Sequence, residues 1–388
     1  MAPVVVLALG SFAMGTDSFV LAGILPQLAG GLQVSQSAAG QVITTFALTY
    51  ALAAPLLAAV TSRLPRKPLM LVALLLFVGA NLASAAAPSL TVLLVARVAA
   101  GLGAALYTPT ASAAAVSLAG PERRGQALSI IIGGLTVGTV FGVPAGTAIG
   151  QHVSWQASLI FVAVVGAAAL LGLLVTLPAL ATPAPVPMSQ RFGLLVSRRV
   201  LAIVAVMTLA SAASIIVYTY IAQILDETAH ITGTGLAVAL LAWGLGGTAG
   251  AFGSGWLTDH YGAQRTLLAA LTVLSATLAA LGYAHSTALV LMLMLMALNG
   301  AAAWAVATPN NHRLTALVPR LPTVVISYNS SGIYLGQALG SALGGLLLAH
   351  GTSASTLCLV GTVLGLCALG SHLLLRRPPT AQLAESRA

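Results

Sequence analysis

Long apolar runs constrain the fold of this chain more than any other feature of its sequence. Of its 388 residues, 59% are hydrophobic and only 5% are charged, whereas a soluble domain carries about 25% charged residues. About 20 apolar residues cross the roughly 30 Å of hydrocarbon in a bilayer, and the backbone must then be helical so that its polar groups are paired. The sequence therefore predicts an all-α membrane protein with twelve spans, at 4–29, 37–60, 68–87, 90–118, 126–150, 155–177, 200–224, 233–257, 264–284, 286–309, 322–349 and 352–375.

The placement of charge predicts the orientation of these spans. Apart from one arginine, every Lys and Arg falls in alternate connections or in the C-terminal tail, and the remaining connections carry only Asp226, Glu227 and histidines. The positive-inside rule then places both termini in the cytoplasm, with an even number of spans. We expect a multi-pass protein of the cell (inner) membrane. The net charge of +9 is thus assigned to contact with lipid headgroups and not to nucleic acid. The first run lacks a basic segment before it and is longer than a signal peptide, so we interpret it as an uncleaved span.

An internal repeat divides the chain into two halves. Glycine recurs every four residues over 134–150 and again over 332–344, and the two ladders are 198 positions apart. Repeats of this kind build transporters whose substrate site lies between the halves, near the membrane midplane. We therefore predict two pseudo-symmetric six-helix bundles joined by a proline-rich cytoplasmic linker, with bundles at 1–178 and 200–376, the linker at 179–199 and a cytoplasmic tail at 377–388.

The glycine ladder of the fifth span is a candidate gate. Glycine at every fourth position lines one helix face and permits close approach of a neighbouring backbone. Pro144 removes a helical hydrogen bond and bends or loosens the helix there. A face that slides or pivots and a face that only packs are both compatible with this pattern. The gating candidates are Gly138, Gly142, Pro144 and Gly146.

Two ionisable residues lie deep within spans, Asp17 in the first and Arg97 in the fourth. With a rise of about 1.5 Å per residue, they lie about 20 Å and about 21 Å from the cytoplasmic surface. We therefore predict that they pair in at least one conformation, either as a static pair that orients helices or as a proton-coupling site. In the second interpretation Asp17 exchanges the proton as Arg97 moves or water enters, and Arg97 stays charged.

Polar and aromatic residues inside the spans supply candidates for a substrate site. Aromatic residues near helix ends often serve instead as interfacial anchors, so part of this set is expected to have that role. The candidates are Phe46, Tyr50, Tyr107, Tyr218, Asn299, Tyr328 and Asn329.

These features together resemble the major facilitator superfamily, and within it the twelve-span drug:proton antiporters of the chloramphenicol-resistance and arabinose-efflux branch. The loop after the eighth span keeps the signature G-x-L-x-D-x-x-G-x-x-R, and its copy after the second span is degraded. Since this loop is a cytoplasmic latch in the family, the resemblance implies gating roles for Gly255, Asp259, Gly262 and Arg265 in the intact copy and for Arg63 and Arg66 in the degraded copy.

Three further segments carry the resemblance. The pattern R-x-x-x-G-x-G-A begins at Arg97 and implies that this arginine takes part in proton coupling. The segment 138–146 is similar to the antiporter signature of the fifth span, with Val143 inserted into its Gly-Pro step. The first span is similar to that branch as well, except that the position before the phenylalanine is Ser18, where many members have Glu. The acid, Asp17, lies one residue earlier, about 100° around the helix.

The resemblance implies proton-driven export of a small, neutral or hydrophobic organic compound such as a drug. One acid and one arginine leave a nearly neutral cavity, which agrees with an uncharged substrate. Export of a sugar or nucleoside and a non-transporting membrane sensor are the alternatives. The sequence has no metal-spaced His/Cys cluster and no Walker loop, so we expect neither a metal site, nor an enzyme, nor ATP-driven pumping. The expected partners are the substrate, protons and the bilayer, with no cofactor beyond the proton gradient, and the expected state is a monomer.

Overall fold

The computed structural model describes residues 2–119, 123–178, 180, 197–283, 289–318 and 322–375. The regular structure within these ranges is helical, and 12 of the helices in them are long and apolar enough to cross a membrane. The predicted fold class and the predicted number of spans are therefore confirmed. The predicted tail at 377–388 lies outside the described residues, and so does most of the predicted linker at 179–199.

The helices follow the predicted order, and we number the spans 1 to 12. Spans 1 to 6 consist of Ala2–Gly23 with Leu25–Gly31, Gln36–Val60, Arg66–Ala85, Leu90–Ala119, Arg124–Val137 with Val143–His152, and Trp155–Thr176. Spans 7 to 12 consist of Arg198–Thr219 with Ile221–Ala229, Thr234–Tyr261, Ala263–Tyr283, Leu289–Ala305 with Ala307–Leu317, Pro322–Ala349, and Ala354–Leu374.

Spans 1 and 7 are each divided into a long and a short helix, so the prediction of continuous helices over 4–29 and 200–224 was wrong. The breaks lie at Ile24 and Tyr220, which have similar backbone angles (φ −118°, ψ 11° and φ −109°, ψ 21°). In span 1 the break precedes Pro26, which has no N–H to continue the helical ladder. In span 7 no proline is present, and the Tyr220 hydroxyl donates to the carbonyl of Ser341 at 3.1 Å. A tertiary contact thus accompanies the second break.

Span 10 extends farther than predicted. The sequence suggested an end at residue 309, but a second helix, Ala307–Leu317, follows a short interruption at Val306. This helix packs on span 11 and buries Asn310. The polar residues at which the predicted span ended are therefore held by contacts inside the protein.

Each glycine ladder packs its span against the first span of the same half. A methyl group at Gly138 would overlap the carbonyl of Phe12 in span 1, and one at Gly336 would overlap the carbonyl of Thr208 in span 7. Backbones in contact at this distance leave room for hydrogen alone, which explains the glycine pattern. The two halves therefore repeat the same packing, span 5 on span 1 and span 11 on span 7.

Span 5 contains one turn of π-helix, Gly138–Gly142, which ends two residues before Pro144. A residue inserted into an α-helix is commonly accommodated as a π-bulge, and Val143 is the residue that the motif comparison identified as inserted. The Thr16 hydroxyl of span 1 donates to the carbonyl of Gly138 at 3.2 Å. The irregular turn therefore lies against the helix that carries Asp17.

The halves meet mainly at one side of the membrane. We call it the acidic side, since Asp226 and Glu227 lie there, and we call the opposite side, with the basic connections, the basic side. Span 2 packs along span 11, and near their acidic-side ends the Ser37 hydroxyl donates to the carbonyl of Gly345 at 2.6 Å. In span 5, Val143–His152 and the π-turn contact span 8, whereas Arg124–Val137 packs mainly on spans 1 and 4. The protein is thus closed on the acidic side.

Candidate functional site

Asp17 and Arg97 form an ion pair inside the first half. Nη1 of Arg97 donates to Oδ1 of Asp17 at 2.9 Å, and Nη2 donates to Oδ2 at 2.9 Å. The side chain of Asp17 is 0% exposed and that of Arg97 is 1% exposed. This bidentate arrangement is the strongest geometry available to a guanidinium and a carboxylate. The predicted pairing is confirmed, and the role in proton coupling stays a prediction.

Neutral groups complete the surroundings of Arg97. Nη1 also donates to Oδ1 of Asn81 in span 3 at 3.4 Å. The ring centroid of Phe46 in span 2 lies 4.6 Å from the guanidinium carbon, within the range of a cation–π interaction. Nε of Arg97 has no hydrogen-bond partner among the described residues. Phe46, predicted to bind substrate, thus contacts the proposed proton site, and the Nε–H of Arg97 stays available to a further acceptor.

Tyr50 lies at the junction of the halves. Its ring stacks on that of Tyr334 in span 11, with centroids 3.6 Å apart and planes inclined by 23°. Span 2 carries both Phe46 and Tyr50, four residues and therefore about one helical turn apart. One face of span 2 accordingly contacts the ion pair through Phe46 and, one helical turn later, the opposite half through Tyr50.

An aromatic cluster, formed by Phe19, Tyr218, Trp243 and Trp304, fills the space between the halves beside span 1. Phe19 belongs to the first half, and its ring centroid lies 5.4 Å from that of Tyr218 and 5.6 Å from that of Trp243. The centroid of Trp304 lies 6.2 Å from that of Phe19. Tyr218 was predicted as a site residue, whereas Phe19 and Trp243 were not among the candidates.

Asn299 is engaged within the second half. Its Oδ1 accepts from Nε1 of Trp243 at 3.2 Å, and its Nδ2 donates to the hydroxyl of Thr277 at 3.1 Å. The residue therefore joins spans 8, 9 and 10. A repeat-based signal for Trp243 was present in the sequence, because it lies 197 positions after Phe46, the offset between the two loop motifs.

Asn329 belongs to a cluster of amides between spans 10 and 11. Its Oδ1 accepts from Nδ2 of Asn310, and its Nδ2 donates to Oδ1 of Asn311, both at 2.8 Å. Asn310 also donates to the carbonyl of Ile203 in span 7 at 3.1 Å. The neighbouring Tyr328 is buried on span 11. Asn310 and Asn311 were missed because the sequence placed them at the end of a span.

Tyr107 packs within the first half. Its hydroxyl donates to the carbonyl of Leu7 at 2.8 Å, and its ring fills the space that a side chain at Gly10 would need. Six of the seven predicted substrate residues thus separate into two groups. Tyr50 and Tyr218 lie where the halves meet, and Phe46, Tyr107, Asn299 and Asn329 have partners inside one half.

The two loop motifs differ in how they are held. In the degraded copy, Arg66 donates to the carbonyl of Ala113 at 2.9 Å and so ties span 3 to span 4, while Arg63 is exposed. In the intact copy Gly262 has φ +83°, the left-handed region that favours glycine, and Gly255 lies next to open space. Asp259 and Arg265 are exposed. Within the described ranges, Asp259 forms no ion pair.

The chain is similar in sequence to a family of transporters and to several of its members. The family model described as Major Facilitator Superfamily matches residues 7–320 and 205–388. The chain is 31% identical over 351 residues to the MFS-type transporter YbcL of Bacillus subtilis (strain 168), covering 90% of each chain. It is 32% identical over 355 residues to a chloramphenicol resistance protein of Streptomyces lividans, again covering 90% of each.

A solved structure has the same architecture. The crystal structure of the nucleoside transporter NupG superposes with a TM-score of 0.79 and covers 97% of this chain and 100% of NupG, at 13% sequence identity. At this identity the likeness concerns the fold alone.

Proposed function

Since this chain belongs to the major facilitator superfamily, whose members are transporters and not enzymes, we propose that it couples inward proton movement to export of a small organic compound. The proposed substrate is neutral or hydrophobic, such as a drug. The observation that carries the proposal is the ion pair of Asp17 and Arg97, fully buried in a bundle that faces lipid. An ionisable pair at such a place is costly and typically marks an ion pathway.

Protonation of Asp17 provides the coupling step. A proton on the carboxyl group removes the negative charge that Arg97 faces, and leaves the guanidinium with Asn81 and the Phe46 ring. Breaking a buried pair by removing one charge costs about 3–5 kcal/mol. Protonation therefore disfavours the acidic-side-closed conformation relative to one in which Arg97 is hydrated. Release of the proton re-forms the ion pair and favours the acidic-side-closed conformation.

The direction of transport follows from the proposed orientation. We take the basic side to be cytoplasmic, as the positive-inside rule requires, and the membrane to be the inner membrane. The conformation closed on the acidic side then faces the cytoplasm with Asp17 ionised, ready to receive a substrate after proton release. A proton binds Asp17 from the outer side in the other conformation, is carried inward when the protein returns, and is released to the cytoplasm, which completes an antiport cycle in a monomer.

The groups at the junction of the halves favour an apolar, planar substrate. Phe19, Tyr218, Trp243 and Trp304 offer aromatic faces there, whereas the amides of Asn299 and Asn329 are already hydrogen-bonded within the protein. The similarity to a chloramphenicol resistance protein supports drug export in particular. Export of a sugar or nucleoside would require these amides to exchange their present partners for substrate hydroxyls.

A susceptibility panel in an efflux-deficient host tests the proposal. Wild type is expected to raise the tolerated concentration of at least one hydrophobic compound, and Asp17→Asn and Arg97→Ala are expected to abolish that gain at equal expression. Ser18→Ala is the matched control, since it changes the neighbouring polar residue and leaves the ion pair intact. For a responsive compound, its addition to energised inverted vesicles should release protons from the lumen, as measured with a pH-sensitive dye.

Three outcomes would contradict the proposal. If no compound responds and labelled sugars or nucleosides are exported instead, metabolite export replaces drug export. If Asp17→Asn retains full protection, proton coupling through Asp17 is wrong. A chain that changes neither tolerance nor flux would fit a membrane sensor.

A further inference from the structure

A cavity lies between the halves on the acidic side, separate from the ion pair and from the aromatic cluster. It is formed by the acidic-side ends of spans 1, 2, 5, 7 and 8, and its volume is about 140 Å³. Its polar lining comes from both halves and consists of Gln27, Gln36, Gln151, Gln223, Asp226 and Thr232. We call this cavity the glutamine chamber.

The glutamine chamber contains hydrogen-bond acceptors without partners. The side-chain oxygens of all four glutamines are buried, and none has a hydrogen-bond partner among the described residues. Buried polar atoms are nearly always paired with protein groups, water or an ion. Four orphaned oxygens that line one cavity therefore indicate an occupant that interacts with oxygen atoms.

The amide orientations of two glutamines follow from their nitrogen atoms. Nε2 of Gln223 donates to Oε1 of Glu227 at 2.8 Å, and Nε2 of Gln151 donates to the carbonyl of Gly23 at 3.5 Å. Because the donors are used inside the protein, the oxygens remain for the chamber. Glu227 is held further by the backbone N–H of Ala354, which donates to its Oε2 at 3.0 Å, so its own charge is directed away from the chamber.

Size and charge restrict the occupant. Drug-sized ligands occupy pockets of about 300–1,000 Å³, so about 140 Å³ is too small for the proposed transport substrate, yet it holds an ion with several waters. Asp226 is the one carboxylate in the lining. Divalent calcium is usually held by several carboxylates, whereas backbone and amide-type oxygens around few charges suit alkali cations.

We propose that the glutamine chamber binds a monovalent alkali cation, with Asp226 supplying the charge and the glutamine oxygens serving as neutral ligands. Since the lining comes from both halves, opening on the acidic side separates these ligands. The cation therefore binds the acidic-side-closed conformation and stabilises it more as the cation concentration rises above the dissociation constant. This inference does not rest on drug export or on proton coupling.

Thermal unfolding of the purified full-length chain in detergent tests the site. The melting temperature is followed by tryptophan fluorescence while NaCl or KCl replaces choline chloride at constant ionic strength. We expect a saturable rise of about 2 °C or more with at least one alkali cation. Asp226→Asn and, independently, Gln151→Leu are expected to remove most of that rise. Asp259→Asn, which removes a carboxylate on the basic side, is expected to keep it.

The proposal is overturned by any of three results. An equal melting temperature in choline chloride would mean that the chamber holds water alone. A rise that survives in both chamber variants would place the cation elsewhere. A rise produced by CaCl₂ and by neither alkali salt would contradict a monovalent site. Because the measurement requires no transport, failure of the susceptibility panel leaves each of these results interpretable.

Discussion

The two halves place an aromatic residue at matching positions of spans 2 and 8 and contact it with a polar residue of spans 4 and 10, and they use these groups differently. In the first half Phe46 of span 2 lies over the guanidinium of Arg97 in span 4. In the second half Trp243 of span 8, 197 positions after Phe46, donates to Asn299 of span 10. Span 3 adds Asn81 to the first group, and span 9 adds Thr277 to the second.

The difference lies in the first span of each half. Span 1 supplies Asp17 to its group, whereas the position 197 residues later is Ser214. Corresponding spans therefore carry a charged pair in one half and neutral hydrogen bonds in the other. Removing one member of a buried charged pair leaves a charge in the interior, but removing one member of a neutral group leaves only an unpaired dipole. Mutations in the charged group and in the neutral group should consequently differ in effect.

The largest effect is expected for Asp17→Asn, which leaves Arg97 without a counter-charge. The free energy of unfolding should fall by about 3–5 kcal/mol, measured by SDS titration of the purified protein. The double variant Asp17→Asn with Arg97→Gln should recover most of this loss, because two neutral side chains leave no buried charge. If single and double variants are equally unstable, electrostatics is not the cause.

The second prediction compares the glycine ladders, which the halves share. Gly138→Ala and Gly336→Ala should each lower the free energy of unfolding by about 1–3 kcal/mol, because the added methyl overlaps a backbone carbonyl. Gly133→Ala is the control on the same helix, since its Cβ would meet open space. That variant should be neutral or stabilising. Equal effects at Gly133 and Gly138 would show that the ladder is not in contact.

The third prediction concerns the neutral counterpart. Asn299→Leu should cost about 1 kcal/mol, the scale of interhelical hydrogen bonds in membranes, because Trp243 and Thr277 lose their shared partner. Thermal unfolding measured beside Asp17→Asn tests the asymmetry. A cost as large as that of Asp17→Asn would remove the distinction between the halves.

The smallest effect is expected at the junction itself. Tyr50→Phe keeps the ring stacked on Tyr334 but removes the hydroxyl that interacts with Thr108 and Tyr334. It should lower the free energy of unfolding by about 0.6 kcal/mol, the average for one hydrogen bond between membrane helices. Tyr50→Ala, which removes the ring, should cost more and should weaken closure of the acidic side. Accessibility of a single cysteine introduced at Ser37 to a membrane-impermeant maleimide measures that closure. Equal labelling of both variants would contradict a contribution of the stack.

The sequence predicted those features for which only one arrangement is physically favourable. Long apolar runs require helices, and Asp17 and Arg97 at equal depth require each other, so both were found from spacing and charge. The aromatic cluster was only partly found, because apolar residues surround every face of these spans and no polar stripe marks the face toward the protein. No sequence pattern therefore marks Phe19 as a site residue. Trp243 is marked only by the internal repeat. The break at Tyr220 depends on a hydroxyl contact with span 11, which no local pattern encodes.

Span 1 connects the ion pair with the aromatic cluster between the halves. Asp17 faces Arg97 in the first half, and Phe19 faces the second half. Two residues along an α-helix are separated by about 200° around its axis. Rotation of this helix about its own axis would therefore withdraw the carboxylate from the guanidinium and the phenyl ring from the tryptophans in a single motion. No series of intermediate contacts is needed to connect the state of one side chain with the position of the other.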